Sequence, residues 1–487
     1  MADWLPWVTL LVYGVLIWRL MPAGVTPIQF FRGSGRGGVE PGFWLLVASA
    51  AITWLFAKSI ANAASLGQAF GLVGGIGYGL YYLSFIVAAV GIWFIRVRGG
   101  HGSLAGFLVA KYGTTAARIF FAAIAIRLFN EVWSNTKVVG LFFGTEGSAA
   151  YWLSAVVVTA FTAYYSWRGG LRSSLLTDGA QMVLAAVLLV VIALFVWPDI
   201  GAGGLPGVGA TASAAGWTFC GLALIQALSY PFHDPVLTDR AFLTRPGVMV
   251  RAFVVAGLIG ALFIVVFSGV GIYARLEGLS GNPSVSVATA LGLPLMLVFN
   301  VIMVTSAGST LDSTFSSASK LAARDWHKKP GDAGSGGEIS PATVARGRAF
   351  MVAIAVLGNL PLLSIYMGDR AGPAVIAATT ISGTMVMGLA PIFLLAFVRG
   401  AGRLSFHLAF WPGLALGVLM VVDSAAGVRL VPDWSVIGSG KYADDFGVNV
   451  LGLAVCTVGY LMGALPGPWR VGARLQGPRD SRSETRS

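Results

Sequence analysis

Apolar runs of about 20 residues, the length a helix needs to cross the hydrocarbon of a bilayer, follow one another along the whole chain. Short polar or glycine- and proline-bearing stretches divide them. Thirteen such runs lie near residues 5–22, 41–66, 70–96, 116–144, 148–167, 173–197, 214–235, 249–274, 287–320, 345–367, 371–398, 404–423 and 445–466. The pattern predicts an all-α integral membrane protein with about 13 transmembrane helices. The first run is expected to be retained rather than cleaved as a signal peptide, because Met1, Ala2 and Asp3 carry no positive charge and no A-x-A-like site follows.

Charge supplies the orientation. Positive residues are retained on the cytoplasmic side, and the first run is followed, not preceded, by Arg19, Arg32 and Arg36. With the N-terminus outside, alternation puts 25 Lys and Arg in the inner loops and the tail. The outer loops hold only 4: Arg275, Arg370, Arg429 and Lys441. A miscounted span would mix the two sets, so the expectation is thirteen spans, N-terminus outside, C-terminus cytoplasmic, in a cell (plasma or inner) membrane. Composition agrees. Only 11% of the 487 residues are charged and 56% are hydrophobic, against about 25% charged in soluble domains. The net charge of +12 therefore reads as topology rather than nucleic-acid binding. Cys220 and Cys456 both fall in apolar stretches, which speaks against a disulfide framework or a cysteine metal site. There is no G-x-x-x-x-G-K-[ST] loop and no nucleophile–base constellation in a soluble portion, so neither ATP coupling within this chain nor an enzyme is expected.

Two spans are interrupted. The second carries the small and polar run Ala57-Lys58-Ser59-Ile60-Ala61-Asn62-Ala63-Ala64-Ser65, and the seventh carries Ser229-Tyr230-Pro231-Phe232-His233-Asp234-Pro235. Two prolines there remove backbone donors and break the helix. Breaks five spans apart are what two inverted five-helix halves require, and such breaks bind cargo near the midplane. The expected divisions are an N-terminal extra helix and loop (1–40), a first repeat (41–200), a second repeat (201–400), two C-terminal helices (401–468) and a disordered basic tail (469–487). In the ninth span Ser306, Ser309, Thr310, Ser313 and Ser317 share one helical face. Together with carbonyls of span two, these hydroxyls suggest an oxygen cage for a small hard cation.

These residues resemble the sodium:solute symporter family, which includes sodium/proline, sodium/galactose and urea transporters. The likeness is densest at Arg168-Gly169-Gly170-Leu171-Arg172 through Thr177-Asp178 to Gln181. It continues at Ser309-Thr310-Leu311 with Ser316-Ser317 and Arg324-Asp325, and at Asp234-Pro235 with Arg240 beyond. The resemblance implies a leucine-transporter-like fold of ten core helices with one helix before and two after. It also implies sodium as the coupling ion, held by carbonyls of Ala57, Ile60 and Ser306 and hydroxyls of Ser309 and Thr310. Asp178 matches a family acidic position near the cytoplasmic mouth, on the ion's exit route rather than in its cage.

Lys58 departs from the family pattern. A charge at mid-bilayer costs about 2.5–3.5 kcal/mol on insertion scales, so a coupling or gating role is expected. Either Lys58 pairs with Asp312, or its ammonium replaces sodium and the carrier is proton-coupled or uncoupled. Span four contributes Arg127 and Glu131, four apart and able to pair, and Lys137 without a partner in its own helix. Asn62, Ser65, Trp133, Tyr230, Phe232, His233 and Asp234 are the expected substrate wall. The functional expectation is a sodium-coupled secondary transporter that imports a small polar, zwitterionic or anionic organic solute by alternating access. A symporter-like sensory module and a channel are the rivals. The expected partners are the lipid bilayer and the solute; neither nucleic acid nor a protein partner is predicted.

Overall fold

The computed structural model describes residues 4–22, 24–203, 207–330, 339–368 and 386–465. Every regular element among them is helical. The α-helices are α1 (Leu5–Leu20), α2 (Pro27–Arg32), α3 (Phe43–Ile52), α4 (Ala57–Phe70), α5 (Leu72–Leu80), α6 (Ser84–Val97), α7 (Leu104–Tyr112), α8 (Thr114–Gly140) and α9 (Ala149–Gly203). They continue with α10 (Ala210–Ala227), α11 (Pro235–Arg240), α12 (Pro246–Leu276), α13 (Pro283–Ala290), α14 (Leu293–Ala323), α15 (Pro341–Leu357), α16 (Leu389–Leu394), α17 (Arg403–Ala426) and α18 (Ala443–Ala464). Helices cover twelve of the expected runs. Most of the 371–398 run and the whole basic tail lie outside the described residues.

Seven described helices are long and apolar enough to cross a membrane, and the α3–α4 pair, bent by 61°, makes an eighth. The chain is a multi-pass membrane protein. That number falls below thirteen for physical reasons. α1 has only 16 residues, and α8 carries Arg127, Asn130, Glu131, Asn135 and Lys137 within its 27 residues, which lowers its hydropathy. α9 counts once although its 55 residues, at 1.5 Å each, reach about 80 Å, more than two bilayer cores. It is two helices end to end. Gly170, at φ 53° and ψ −147°, makes the turn between them in a conformation open to glycine alone, and a β-carbon there would collide with Phe30 of α2.

α14 is the central column: every residue from Ile302 to Ser319 is buried. It packs on α9, α8, α15, α4 and α1. A helix buried on all sides yet rich in hydroxyls places a polar seam inside the bundle. α4 is seated by small residues. A β-carbon at Gly271 of α12 would collide with the carbonyl oxygen of Ala64, and one at Gly67 with that of Ser268, so the two backbones touch as small-residue seams allow in membranes.

Two sequence expectations are corrected. The break in the second span lies at Thr53–Phe56, not in the 57–65 run, which is regular helix. Alanines and small polar residues continue a helix readily. The interruption comes instead from the Thr53 hydroxyl donating to the carbonyls of Ser49 and Ala50 (2.8 and 3.1 Å), and from the Tyr82 hydroxyl taking the Trp54 carbonyl (2.8 Å). The ninth span is not continuous from 287: α13 ends at Ala290 and α14 begins after Gly292, whose φ is 85°. Lys137, which has no partner in its own helix, pairs with Glu146 in the following loop (2.7 Å).

Candidate functional site

Two buried polar centres flank the break between α3 and α4. The first gathers on α14. Asp178 of α9 accepts from Ser309 of α14 (2.5 Å), from Ser49 of α3 (2.5 Å) and from the Arg240 guanidinium at the end of α11 (2.9 Å). Arg240 also donates to Ser49 (2.7 Å), Ser313 (2.8 Å) and the Val236 carbonyl (2.9 Å). One carboxylate and one guanidinium, both fully buried, thus tie the first half of the broken helix to the hydroxyl face of α14. Asp178 therefore touches Ser309, one of the expected sodium ligands. Its position follows from Thr177-Asp178 being three to four residues from Ser174, which lies on the same face of α9.

Asp312 does not pair with Lys58. Its carboxylate accepts from Ser174 (2.7 Å), Tyr165 (2.9 Å), Thr177 (2.9 Å) and Ser313 (3.0 Å). Of the expected sodium ligands, Ser309 belongs to this centre. Ala57 and Ile60 occupy the first turn of α4 and are wholly buried. The Thr310 hydroxyl donates to the Ser306 carbonyl (2.9 Å), while the Ser306 hydroxyl is buried without a partner. Ser309 spends its proton on Asp178, which leaves its oxygen lone pairs uncommitted. Hydroxyl and carbonyl oxygens are the donors a hard cation takes.

The second centre joins α4, α8 and the break that follows α10. Lys58 donates to Glu131 (2.8 Å) and to the Asn130 carbonyl oxygen (2.8 Å). Glu131 also holds Arg127, one turn back on α8, and accepts from the Asn135 amide (3.3 Å). Arg127 reaches Asp234 at 3.5 Å, and Asp234 caps α11 by accepting from the amides of Val236 and Leu237. Lys58 finds Glu131 because they face each other across the α4–α8 contact; its expected partner Asp312 is committed to α9. Two cations and two anions cancel, as buried charges in a membrane must. The Phe56 ring lies 5.2 Å from the Lys58 ammonium, and the Tyr230 ring 5.1 Å from the Arg127 guanidinium, which adds cation–π contact.

A cavity of about 920 Å³ opens from this centre toward Asp423, Lys441 and Asp445. Asn62, Ser65, Trp133 and Tyr230 of the expected wall line it, and so do Lys58 and Arg127. Phe232, His233 and Asp234 stand behind that wall. Phe232 is stacked on Phe393 (4.5 Å), and the Nδ1–H of His233 donates to the Tyr230 carbonyl (2.6 Å). The prolines that break the helix turn these three inward to packing and capping. Sequence reasoning missed Tyr78, Tyr81 and Gln226 in the wall. Tyr78 donates to Ser59 (3.0 Å) and Tyr81 to Gln226 (2.5 Å); both sit in ordinary apolar runs that carry no signal of their own. Arg240 could have been weighed: an arginine five residues past Pro235, followed by few polar neighbours, has no reason to be buried unless paired.

No family model and no curated protein matches the sequence. Solved structures do. The chain is similar to a Na+-coupled sialic acid symporter in a substrate-bound outward-open state, with TM-score 0.69 and 14% identity over 94% of this chain and 97% of that one. It is also similar to a manganese transporter of Eremococcus coleocola, with TM-score 0.50 and 12% identity over 87% and 93% of the two chains. The likeness establishes the architecture: the chain has the leucine-transporter-like fold.

Proposed function

We propose that the protein is a secondary active transporter, a sodium-coupled symporter that imports a small polar, zwitterionic or anionic organic solute by alternating access. The observation that carries the reading is the seam of Ser306, Ser309 and Thr310 on α14. It is wholly buried, packed against α4 next to the broken α3–α4 helix, and joined to α3 through Asp178 and Ser49. Sodium is held by the hydroxyls of Ser309 and Thr310 and by the carbonyls of Ala57, Ile60 and Ser306. The carbonyls use the lone pair that helical hydrogen bonding leaves free. The solute occupies the cavity on the other side of α4.

Coupling follows from that arrangement. The cation lowers the free energy of the state in which α4 and α14 are clamped, and the same helix α4 forms the solute wall through Asn62 and Ser65. The broken halves correspond to inverted five-helix repeats at 41–200 and 201–400, with N-terminus outside and C-terminus cytoplasmic. The cavity mouth at Asp423 and Lys441 then faces outward. Lys58 serves as an internal counter-ion for Glu131 rather than as a substitute for sodium. Concentrative uptake into proteoliposomes tests the reading. An inward sodium gradient should accumulate solute in wild type and not in Thr310→Ala; uptake indifferent to both sodium and Thr310 would refute it.

A further inference from the structure

The floor of the cavity is chemically one-sided. Lys58 Nζ can only donate, so the Asn130 atom it meets at 2.8 Å is the carbonyl oxygen, and the Asn130 amide group must point the other way. That Nδ2 is buried without a hydrogen-bond partner, and the same holds for Trp133 Nε1 and Arg127 Nε. All three residues line the cavity. They sit on one stretch of α8, at 127, 130 and 133, so their side chains neighbour one another at three-residue steps.

Acceptors in the same floor are spent. Glu131 is engaged by Lys58, Arg127 and Asn135, and Asp234 by two backbone amides with Arg127 beside it. Buried donors without partners are costly and rare, and donors without competing acceptors select a ligand by what it can accept. Building on the transport reading above, we propose that Asn130 and Trp133 form an acceptor-reading floor. The carried solute docks there through a carboxylate or carbonyl oxygen, and ammonium groups are excluded. The charge of the floor is already balanced, so an ammonium finds no free carboxylate there and meets acidic groups only at the mouth, at Asp423, Asp444 and Asp445. An oxygen acceptor, by contrast, completes the amide and indole N–H groups. The rings of Tyr78, Tyr81 and Tyr230 along the wall then cover the remainder of the solute.

Purified protein in nanodiscs provides the test. Ligand-induced thermal stabilisation is measured with matched triples of a carboxylate, a carboxamide and an amine, built on an alkyl, a phenyl and a polyhydroxy chain, in sodium chloride and in choline chloride. Carboxylate or carboxamide members should stabilise the protein, and their amine counterparts should not. Trp133→Phe keeps an aromatic face while removing the indole N–H with part of the ring system, and Asn130→Leu keeps roughly the volume while removing the amide, including the oxygen that accepts from Lys58. Each should weaken acceptor binding roughly tenfold, the scale of one buried hydrogen bond, while a merely structural role would lower the unliganded stability and leave the acceptor preference intact. The proposal is overturned if an amine stabilises as well as its acid, if no carboxylate or carboxamide stabilises at all, or if both variants bind acceptors like wild type. Acceptor binding equal in sodium and choline would instead count against sodium coupling and leave the floor assignment standing.

Discussion

Removing Arg240 isolates the contribution of the α11 guanidinium to the bundle. The side chain is fully buried and donates to Asp178, Ser49, Ser313 and the Val236 carbonyl, so Arg240→Met leaves the Asp178 carboxylate buried without a cation. Breaking one partner of such a pair costs about 3–5 kcal/mol. The double variant Arg240→Met with Asp178→Leu removes both charges and substitutes apolar volume, which elsewhere has proved neutral or stabilising. Stability of a membrane protein in detergent is best read as a half-life at fixed temperature, because unfolding is irreversible. At about 1.4 kcal/mol per factor of ten, the single variant should lose its native state at least a hundredfold faster than wild type if the cost is expressed in unfolding. The double variant should recover most of that loss, a coupling visible only between residues in contact. A single variant as long-lived as wild type would refute the reasoning, as would a double variant whose loss equals the sum of its singles.

Other outcomes follow from the same geometry. In Arg240→Met the uncompensated Asp178 lies 2.5 Å from Ser309, so sodium chloride should prolong that variant's half-life by a larger factor than it does wild type; equal protection in sodium and choline would contradict the placement of the cation. Gly271→Leu drives a side chain into the Ala64 carbonyl and should destabilise by at least about 1–3 kcal/mol, the usual cost of overpacking, seen as lost monodisperse yield on size exclusion. Gly170→Ala, at φ 53° and ψ −147°, should cost about 1–3 kcal/mol and shorten the half-life without changing sodium affinity. Arg127→Ala leaves Glu131 with Lys58 alone and Asp234 with only its backbone amides. It should lower stability more than Lys58→Ala, because Lys58 is partly exposed and its loss leaves the Arg127–Glu131 pair in place.

The fold was readable wherever a long apolar run meets a loop of one charge sign, because the bilayer forces both. The proline break after Tyr230 was readable for the same reason that proline breaks any helix. The break at Thr53–Phe56 was not: no proline or glycine marks it, and it depends on a hydroxyl of Tyr82, 28 residues away, capturing the Trp54 carbonyl. The hydroxyl face of α14 showed itself by its three- and four-residue spacing, and the ion pair of Arg127 with Glu131 by its i, i+4 register. Partners across helices left no periodic trace. Pairing with Asp312 was one of two readings open for Lys58, and whether it meets Asp312 or Glu131 depends on which helix faces α4. The convergence of Ser49, Ser309 and Arg240 on Asp178 from three helices left no such trace either.

Binding of radiolabelled sodium to purified wild-type protein and to Ser309→Ala and Thr310→Ala, with no solute present, reaches the coupling site without knowing what is carried. The expected result is saturable binding in wild type that unlabelled sodium competes away and choline does not, reduced at least tenfold in each variant, as loss of a buried oxygen ligand requires. Undiminished sodium binding in both variants, with protein that remains folded, would contradict the site and with it the coupling mechanism.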